Sequence, residues 1–516
     1  MPPGLVLAGA VIAAAAAVPA LYLTIAIADN PPTAWEAIWR SRTAEMAVRS
    51  VLLAAAVAAS ATALALPLAW LTVRTDLPGR RLWATLATLP LVIPSYIGAY
   101  LFIAALGPSG ALQDILQPLG VERLPSLYGF PGAWLVLTLF TYPLVLVMVR
   151  GALARLDPQL EEAARGMGRS SAEVFRTVVV PQLYPAIGAG ALLVALYVLS
   201  DFGAVSLLRF DSFTREIYIS YTASFDRTGA AALGGLLVVL TVAILYLYGR
   251  ARRRLDYHRI GPGPARPPRA VALGRWRWPA IAFCAVVVLL ALVLPVAVLV
   301  YWATKGISSG LEASELLADA GHSLLAGSLA AVVTAACALV VALLAVRGSR
   351  AGAMIERVSY SGYALPGIVI ALALIYFGIR VAEPLYQTLA MLVFALSVHY
   401  LPLAVGTSTA ALLQVSPRSE EAARSLGRGP LSVFRTVTAP LIRGGLLAGA
   451  ALVFVYAVKE LPATLLLAPI GFETLATEIW RQTEYGFFEA AAIPSLLLLL
   501  ISAPPLYLLS EKGVAT

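Results

Sequence analysis

Apolar runs of membrane length recur along the chain and are separated by short polar stretches. They cover roughly 4–28, 46–73, 82–106, 132–153, 183–208, 229–249, 278–303, 321–346, 356–380, 385–412, 443–467 and 487–509. Each is close to the roughly 20 residues that a helix needs to cross the hydrocarbon core of a bilayer. Helices satisfy every backbone polar group internally, so the pattern predicts an all-α polytopic membrane protein with about 12 transmembrane helices. The first run carries Ala26-Ile27-Ala28, which looks like a signal-peptide cleavage site. Met1–Gly4 has no basic residue and the apolar run is too long, so it reads as a retained helix.

The polar stretches contain a repeat. Glu161-Glu162-Ala163-Ala164-Arg165 recurs as Glu420-Glu421-Ala422-Ala423-Arg424, an offset of 259. The same offset pairs Gly168 with Gly427, Val174–Val178 with Val433–Val437, and Pro181 with Pro440. It reaches into the apolar runs as well, pairing Pro143 with Pro402, Tyr197 with Tyr456, and Asp201 with Glu460. The chain is therefore an internal duplication. Each half has six spans, an even number, so both halves enter the membrane in the same direction as parallel repeats.

Local chemistry predicts the shape of the repeated segment. Asp157-Pro158 and Ser416-Pro417 each supply a capping side chain followed by proline at the first helical position. The glutamates follow in the first turn, where the helix dipole favours them. Gly168 and Gly427 suit the left-handed residue that closes a helix. A second segment then starts, through a Ser170/Glu173 capping box in the first copy and Gly429-Pro430 in the second. Each segment is a helix–turn–helix elbow, and two copies on one face of the membrane predict docking to a symmetric partner.

Composition narrows the class. The chain is 60% hydrophobic and 13% charged, against about 45–50% and about 25% for soluble domains, which excludes a water-soluble globule and a disordered chain. With the N-terminus cytoplasmic, 26 of the 37 basic residues fall on the cytoplasmic side. Nine of them are in the Arg-, Pro- and Gly-rich linker 250–277. The net charge of +9 is thus an orientation signal, with both termini cytoplasmic, and implies no nucleic acid. The three lysines, Lys305, Lys459 and Lys512, are followed by Gly306, Glu460 and Gly513, so no Walker A phosphate loop is present. Cys284 and Cys337 lie inside apolar runs and His258, His322 and His399 are scattered, which leaves no disulfide framework and no metal site to assign.

Asp201, Lys459 and Glu460 are charges inside apolar runs, each costing roughly 2.5–3.5 kcal/mol at a helix centre if unpaired. Two readings fit them. Either Lys459 neutralises an acid or the group is solvated at the outer interface, or Asp201 and Glu460 flank a translocation path together with Tyr197 and Tyr456. Symmetric acids on a path would suit a hard cation or a cationic substrate. His399-Tyr400 beside Pro402 reads as packing at a proline kink.

Glu162-Ala163-Ala164, Gly168, Val178 and Val180-Pro181, with Glu421-Ala422-Ala423, Gly427, Val437 and Ala439-Pro440 at the same spacing, resemble the EAA loop of ABC importer permeases. Valine for isoleucine and valine or alanine for leucine are the departures. The resemblance covers essentially the whole chain. It implies a type I ABC importer transmembrane fold in which Glu161, Glu162, Ala163, Ala164, Gly168 and their counterparts Glu420, Glu421, Ala422, Ala423, Gly427 form coupling helices. The implied partners are two copies of an ATP-binding subunit, which carry ATP and Mg, one extracytoplasmic binding protein, and the lipid bilayer. This chain itself is then neither an enzyme nor a cofactor carrier. The implied location is a bacterial or archaeal inner (plasma) membrane.

The organisation that follows is an N-terminal helix and outer loop (1–45), a first transmembrane domain (46–249), the cytoplasmic linker (250–277), a helix and outer loop (278–320), a second transmembrane domain (321–509) and a tail (510–516). Tyr197–Ala204, Phe213–Tyr218, Lys459–Thr464 and Gly471–Trp480 look like the fused ferric-iron importer permeases, implying iron(III) as cargo. Related permeases carry thiamine, polyamines or phosphonates. A major-facilitator secondary transporter is the competing class, since Asp76-Leu77-Pro78-Gly79-Arg80-Arg81 partly matches that family's loop, but it leaves the two elbows unexplained.

Overall fold

A computed structural model of the chain describes residues 3–107, 117, 126–156, 158–252, 270–306, 313–347 and 350–514. The described residues form helices and one isolated bridge, Thr75 to Val271. In the first half the helices are α1 (Pro3–Ala28), α2 (Pro31–Trp39), α3 (Ser41–Arg74), α4 (Arg80–Leu86), α5 (Ser95–Leu106), α6 (Phe130–Ala154), α7 (Pro158–Gly166), α8 (Phe175–Ser200), α9 (Gly203–Leu207), α10 (Phe213–Thr222) and α11 (Arg227–Arg252). Apart from α2, the second half repeats them as α12 (Gly274–Gly306), α13 (Ala313–Val346), α14 (Arg350–Ser359), α15 (Gly367–Arg380), α16 (Leu389–Leu413), α17 (Pro417–Ser425), α18 (Pro430–Val458), α19 (Pro462–Leu467), α20 (Leu475–Glu484) and α21 (Phe488–Val514) among the described residues.

Among the described residues ten helices are long and apolar enough to cross a membrane, or up to 12 if each of two bent pairs is one span. The bends correct the expectation of continuous helices over 82–106 and 356–380. The chain turns by 97° between Arg80–Val92 and Ser95–Leu106, and by 103° between Arg350–Gly362 and Gly367–Arg380. Pro94 and Pro366 stand immediately before α5 and α15, and a proline can neither donate a helical hydrogen bond nor leave its predecessor in the α region. The expected spans 183–208 and 443–467 also divide. Helix α8 stops at Ser200 and α18 at Val458, and α9 and α19 are separate short helices.

The described residues fall into two compact units that do not follow chain order. One comprises Ser41–Arg215 and Val239–Thr304, and the other Met1–Arg40, Glu216–Val238 and Lys305–Thr516. Helix α12 thus belongs with the helices of the first repeat, and α1 with those of the second. Within the first-repeat unit α3, α6 and α8 pack on one another. Leu53, Val57, Ala61, Ala65 and Leu68 bury one stripe of α3, and the small residues in it let helix backbones approach closely. Gly190 of α8 is so near α6 that a Cβ there would sit 2.8 Å from the Val145 Cα. The second-repeat unit has the same crossing, for a Cβ on Gly449 would lie 3.2 Å from the Ala404 Cα. There α13, α16 and α18 form the core, and α1 packs along α13, α14 and α15.

Candidate coupling elbows and membrane path

Each elbow begins at a proline, Pro158 or Pro417. Ser416 occupies the N-cap position as expected, but its hydroxyl makes no capping bond; its carbonyl accepts from the Ser419 amide at 3.0 Å. Asp157 lies outside the described residues. The closing turn is the same in both copies. The Gly168 amide donates to Arg165 O at 2.9 Å and Arg169 to Ala164 O at 3.3 Å; Gly427 donates to Arg424 O at 2.9 Å and Arg428 to Ala423 O at 3.3 Å. These paired bonds define a Schellman turn, and the glycines take the left-handed φ it requires, +84° and +80°.

Beyond the turn, Ser170 Oγ accepts from the Glu173 amide at 3.3 Å, the Ser170 side of the expected capping box. Arg169 and Arg428 reach back to Thr177 Oγ1 and Thr436 Oγ1 at 3.1 and 2.8 Å. Both copies then widen into a π-turn, Phe175–Val179 and Phe434–Thr438. Pro181 and Pro440 stand two residues beyond its end. Neither can donate to the carbonyl four residues back, and the wider turn relieves the clash of the ring with it.

The two glutamates of each elbow divide their work. Glu161 and Ala164 are buried, whereas Glu162 and Ala163 are exposed. In the second copy Ala423 is buried, Glu420 half-buried, and Glu421 and Ala422 exposed. Arg74, at the end of α3, donates to Glu161 Oε1 at 2.6 Å, and both side chains are almost fully enclosed. Glu420 is held instead by Thr438 Oγ1 at 2.7 Å and by exposed Arg424 at 3.2 Å. The inner glutamate therefore anchors the short helix, and the outer Glu-Ala pair is the face left for a partner. The end of the linker is pinned beside the first anchor. Val271 N donates to Arg74 O at 2.8 Å, and Asp76 Oδ1 accepts from Leu273 N at 2.9 Å.

Asp201 and Glu460 hold equivalent places and both are buried. Asp201 Oδ1 accepts from the amides of Ala204 and Val205 at 3.0 and 3.2 Å, and its Oδ2 accepts from Ser95 Oγ. Glu460 Oε2 accepts from the amides of Ala463 and Thr464 at 2.9 and 3.2 Å. Each acid thus caps the short helix that follows the break in its span. Thr214 and Thr464 donate to the acids' own carbonyls at 2.6 and 3.0 Å. Lys459 stands at the C-cap of α18 and is half-buried. Tyr197 and Tyr456 are likewise half-buried, the latter with its ring 5.8 Å from that of Tyr400. His399 is half-buried in α16, with its ring 4.6 Å from that of Tyr400, a packing contact close to Pro402.

The sequence reading missed Arg74, Ser95 and Thr438. Pro94 and Pro366 were the readable signals for the breaks; nothing local marks Arg74. It also missed a carboxylate cluster in the second-repeat unit. Asp319, Glu473 and Glu478 bring one oxygen each within 4.8 Å of the others. Arg481 pairs with Glu473 at 2.9 Å and Glu478 at 2.5 Å. His322 Nδ1 lies 2.8 Å from Glu473 O, its ring stacked on Phe472 at 4.2 Å. Burial, followed by the nearby Glu478 and Asp319, holds the Glu473 carboxyl above its usual range, although Arg481 pulls the other way.

Comparison with known proteins adds an independent line. The family model described as "Binding-protein-dependent transport system inner membrane component" matches residues 61–257 and 327–510. The Fe(3+)-transport system permease protein FbpB 2 of Haemophilus influenzae is 35% identical over 483 residues, covering 92% of this chain and 91% of that protein. The ferric transport system permease protein FbpB of Actinobacillus pleuropneumoniae is 23% identical over 80% of this chain and 63% of its own length. The molybdenum transport system permease protein ModB of Escherichia coli is 33% identical over 161 residues, which is 30% of this chain and 69% of that protein.

Proposed function

The chain belongs to the family of binding-protein-dependent transport system inner membrane components, and from that premise we propose that it is the permease subunit of an ATP-driven iron(III) importer. It is a multi-pass inner membrane protein and a transport subunit with no catalytic step of its own. The observation that carries the reading is the duplicated elbow, in which the inner glutamate, buried Glu161 or half-buried Glu420, ties each short helix to the membrane bundle while Glu162-Ala163 and Glu421-Ala422 face outward.

Two ATP-binding subunits, holding ATP and Mg, dock on these two faces from the cytoplasm. A displacement of α7 passes through Glu161 and Arg74 to α3, and one of α17 passes through Glu420 and Thr438 to α18. Nucleotide-driven closure of the partner pair thereby reaches the membrane helices at two equivalent points. An extracytoplasmic binding protein delivers the ferric ion at the opposite end. Iron(III) as cargo is supported by the similarity to the Haemophilus influenzae permease over nearly the full length of both chains.

Reconstitution tests the reading. The chain, the ATP-binding subunit and the binding protein encoded with it are placed in proteoliposomes, and ATP hydrolysis is measured with ferric-loaded binding protein, thiamine and polyamines. Stimulation by the ferric-loaded protein, with uptake of labelled iron, is expected. Stimulation by thiamine alone would overturn the cargo, and uptake that needs no ATP would overturn the class.

A further inference from the structure

A cavity of about 140 Å³ opens in the second-repeat unit where α1, α11 and α15 meet. Its walls are apolar, with Leu23, Leu372, Ile375 and Ile379 among them. The volume is close to that of an engineered apolar cavity that takes a six-carbon ring. Its polar groups are Arg227, Arg380, Tyr221 and Tyr376. From Arg380 the chain turns and returns through α16 to the elbow at Pro417, so the cavity lies at the end of the unit remote from that elbow, at interfacial depth. Tyrosines belong at that depth, as do the exposed Trp35 and Trp39 of α2 in the same unit, whose rings lie 5.4 Å apart.

The charges here are unequal. Arg380 is ion-paired with Asp29, and its guanidinium lies 4.6 Å from the centre of the Tyr376 ring. Arg227 is exposed and has no carboxylate within ion-pair distance among the described residues. The Tyr376 hydroxyl is buried without a hydrogen-bond partner. One uncompensated cation and one unmet hydroxyl beside an apolar recess match a ligand with a single negative charge and a hydrocarbon tail. We propose that this cavity binds an anionic phospholipid, with the phosphodiester at Arg227 and the start of an acyl chain between α1 and α15. Inorganic phosphate would leave the apolar walls without an occupant, and a zwitterionic headgroup would set its own cation against Arg227.

Native mass spectrometry of the full-length, delipidated chain tests this, titrating phosphatidylglycerol and phosphatidylcholine with identical acyl chains. Phosphatidylglycerol should bind roughly tenfold more tightly than phosphatidylcholine, a difference of about 1.4 kcal/mol. Arg227→Gln should erase the difference by weakening phosphatidylglycerol alone, and Ala231→Phe should weaken both lipids by filling the recess. Because Arg227 is exposed, its replacement leaves the fold intact and is the deciding variant. Equal binding of the two lipids by the unaltered chain would overturn the proposal, as would undiminished phosphatidylglycerol binding by Arg227→Gln. Displacement of the lipid by millimolar inorganic phosphate would identify a free-anion site instead and overturn it equally.

Discussion

Glu161 and Glu420 are equivalent in sequence but differ in environment, and the difference sets what their removal does. Arg74 and Glu161 are both enclosed, so Arg74→Met leaves a buried carboxylate with only the exposed Arg165, 3.8 Å away, and should destabilise the chain by about 3 kcal/mol. Arg424→Met, which removes an exposed i,i+4 partner of Glu420, should cost only about 0.3–0.5 kcal/mol. Thermal melts of the purified variants in detergent check both. The double variant R74M/E161Q should recover most of the loss, because it removes the stranded charge. Glu473 offers a test by pH. Its folded value lies above that of the unfolded chain, so its contribution to stability is complete below the ordinary glutamate range and is lost as pH rises through the higher folded value. Glu473→Gln should therefore raise the melting temperature at neutral pH, with the two proteins converging near about pH 4.

At the scale of elements, the elbows depend on two backbone devices that recur 259 residues apart. Gly168 and Gly427 hold φ near +80°, where a side chain is strained, so Gly168→Ala and Gly427→Ala should each cost about 1 kcal/mol. Ordinary helical glycines such as Gly444, around which a Cβ would meet nothing within 4 Å, should accept alanine without loss. The crossing glycines form a second pair. Gly190→Leu and Gly449→Leu must push apart helices whose backbones would already touch a Cβ, and overpacking of this kind costs typically 1–3 kcal/mol. Loss of folded protein in both variants, measured by size-exclusion chromatography, is the expected result.

At the scale of the molecule, the duplication predicts how coupling fails. With Glu162-Ala163 and Glu421-Ala422 as the two outward faces, Glu162→Lys or Glu421→Lys alone should weaken capture of the ATP-binding subunit, and the double variant should abolish it. Because both residues are exposed, melting temperatures should hardly move. Pull-down with tagged ATP-binding subunit reads the first effect, and melts read the second. The same duplication disposes of the secondary-transporter reading, since the matched family model spans both halves.

Much was legible before any coordinates because it follows from local chemistry. Hydrocarbon requires internally bonded helices of a set length, so the apolar runs located the ten straight candidate spans and the two bent pairs. Proline at N1 and glycine at the left-handed closing position follow from what those two residues can do, and they marked the elbows. Other features depended on residues distant in sequence. Arg74 finds Glu161 across 87 positions, and Asp319 meets Glu473 and Glu478 only because α13 and α20 pack together. Asp201 and Glu460 read as isolated charges along the chain, yet each closes a short helix beyond a break. Even the assignment of α1 and α12 to the unit built from the other repeat is invisible in a linear pattern. An apolar stripe states that a helix must be covered; which helix covers it is decided by the fit of side chains, such as the glycine crossings, that only the folded chain brings together.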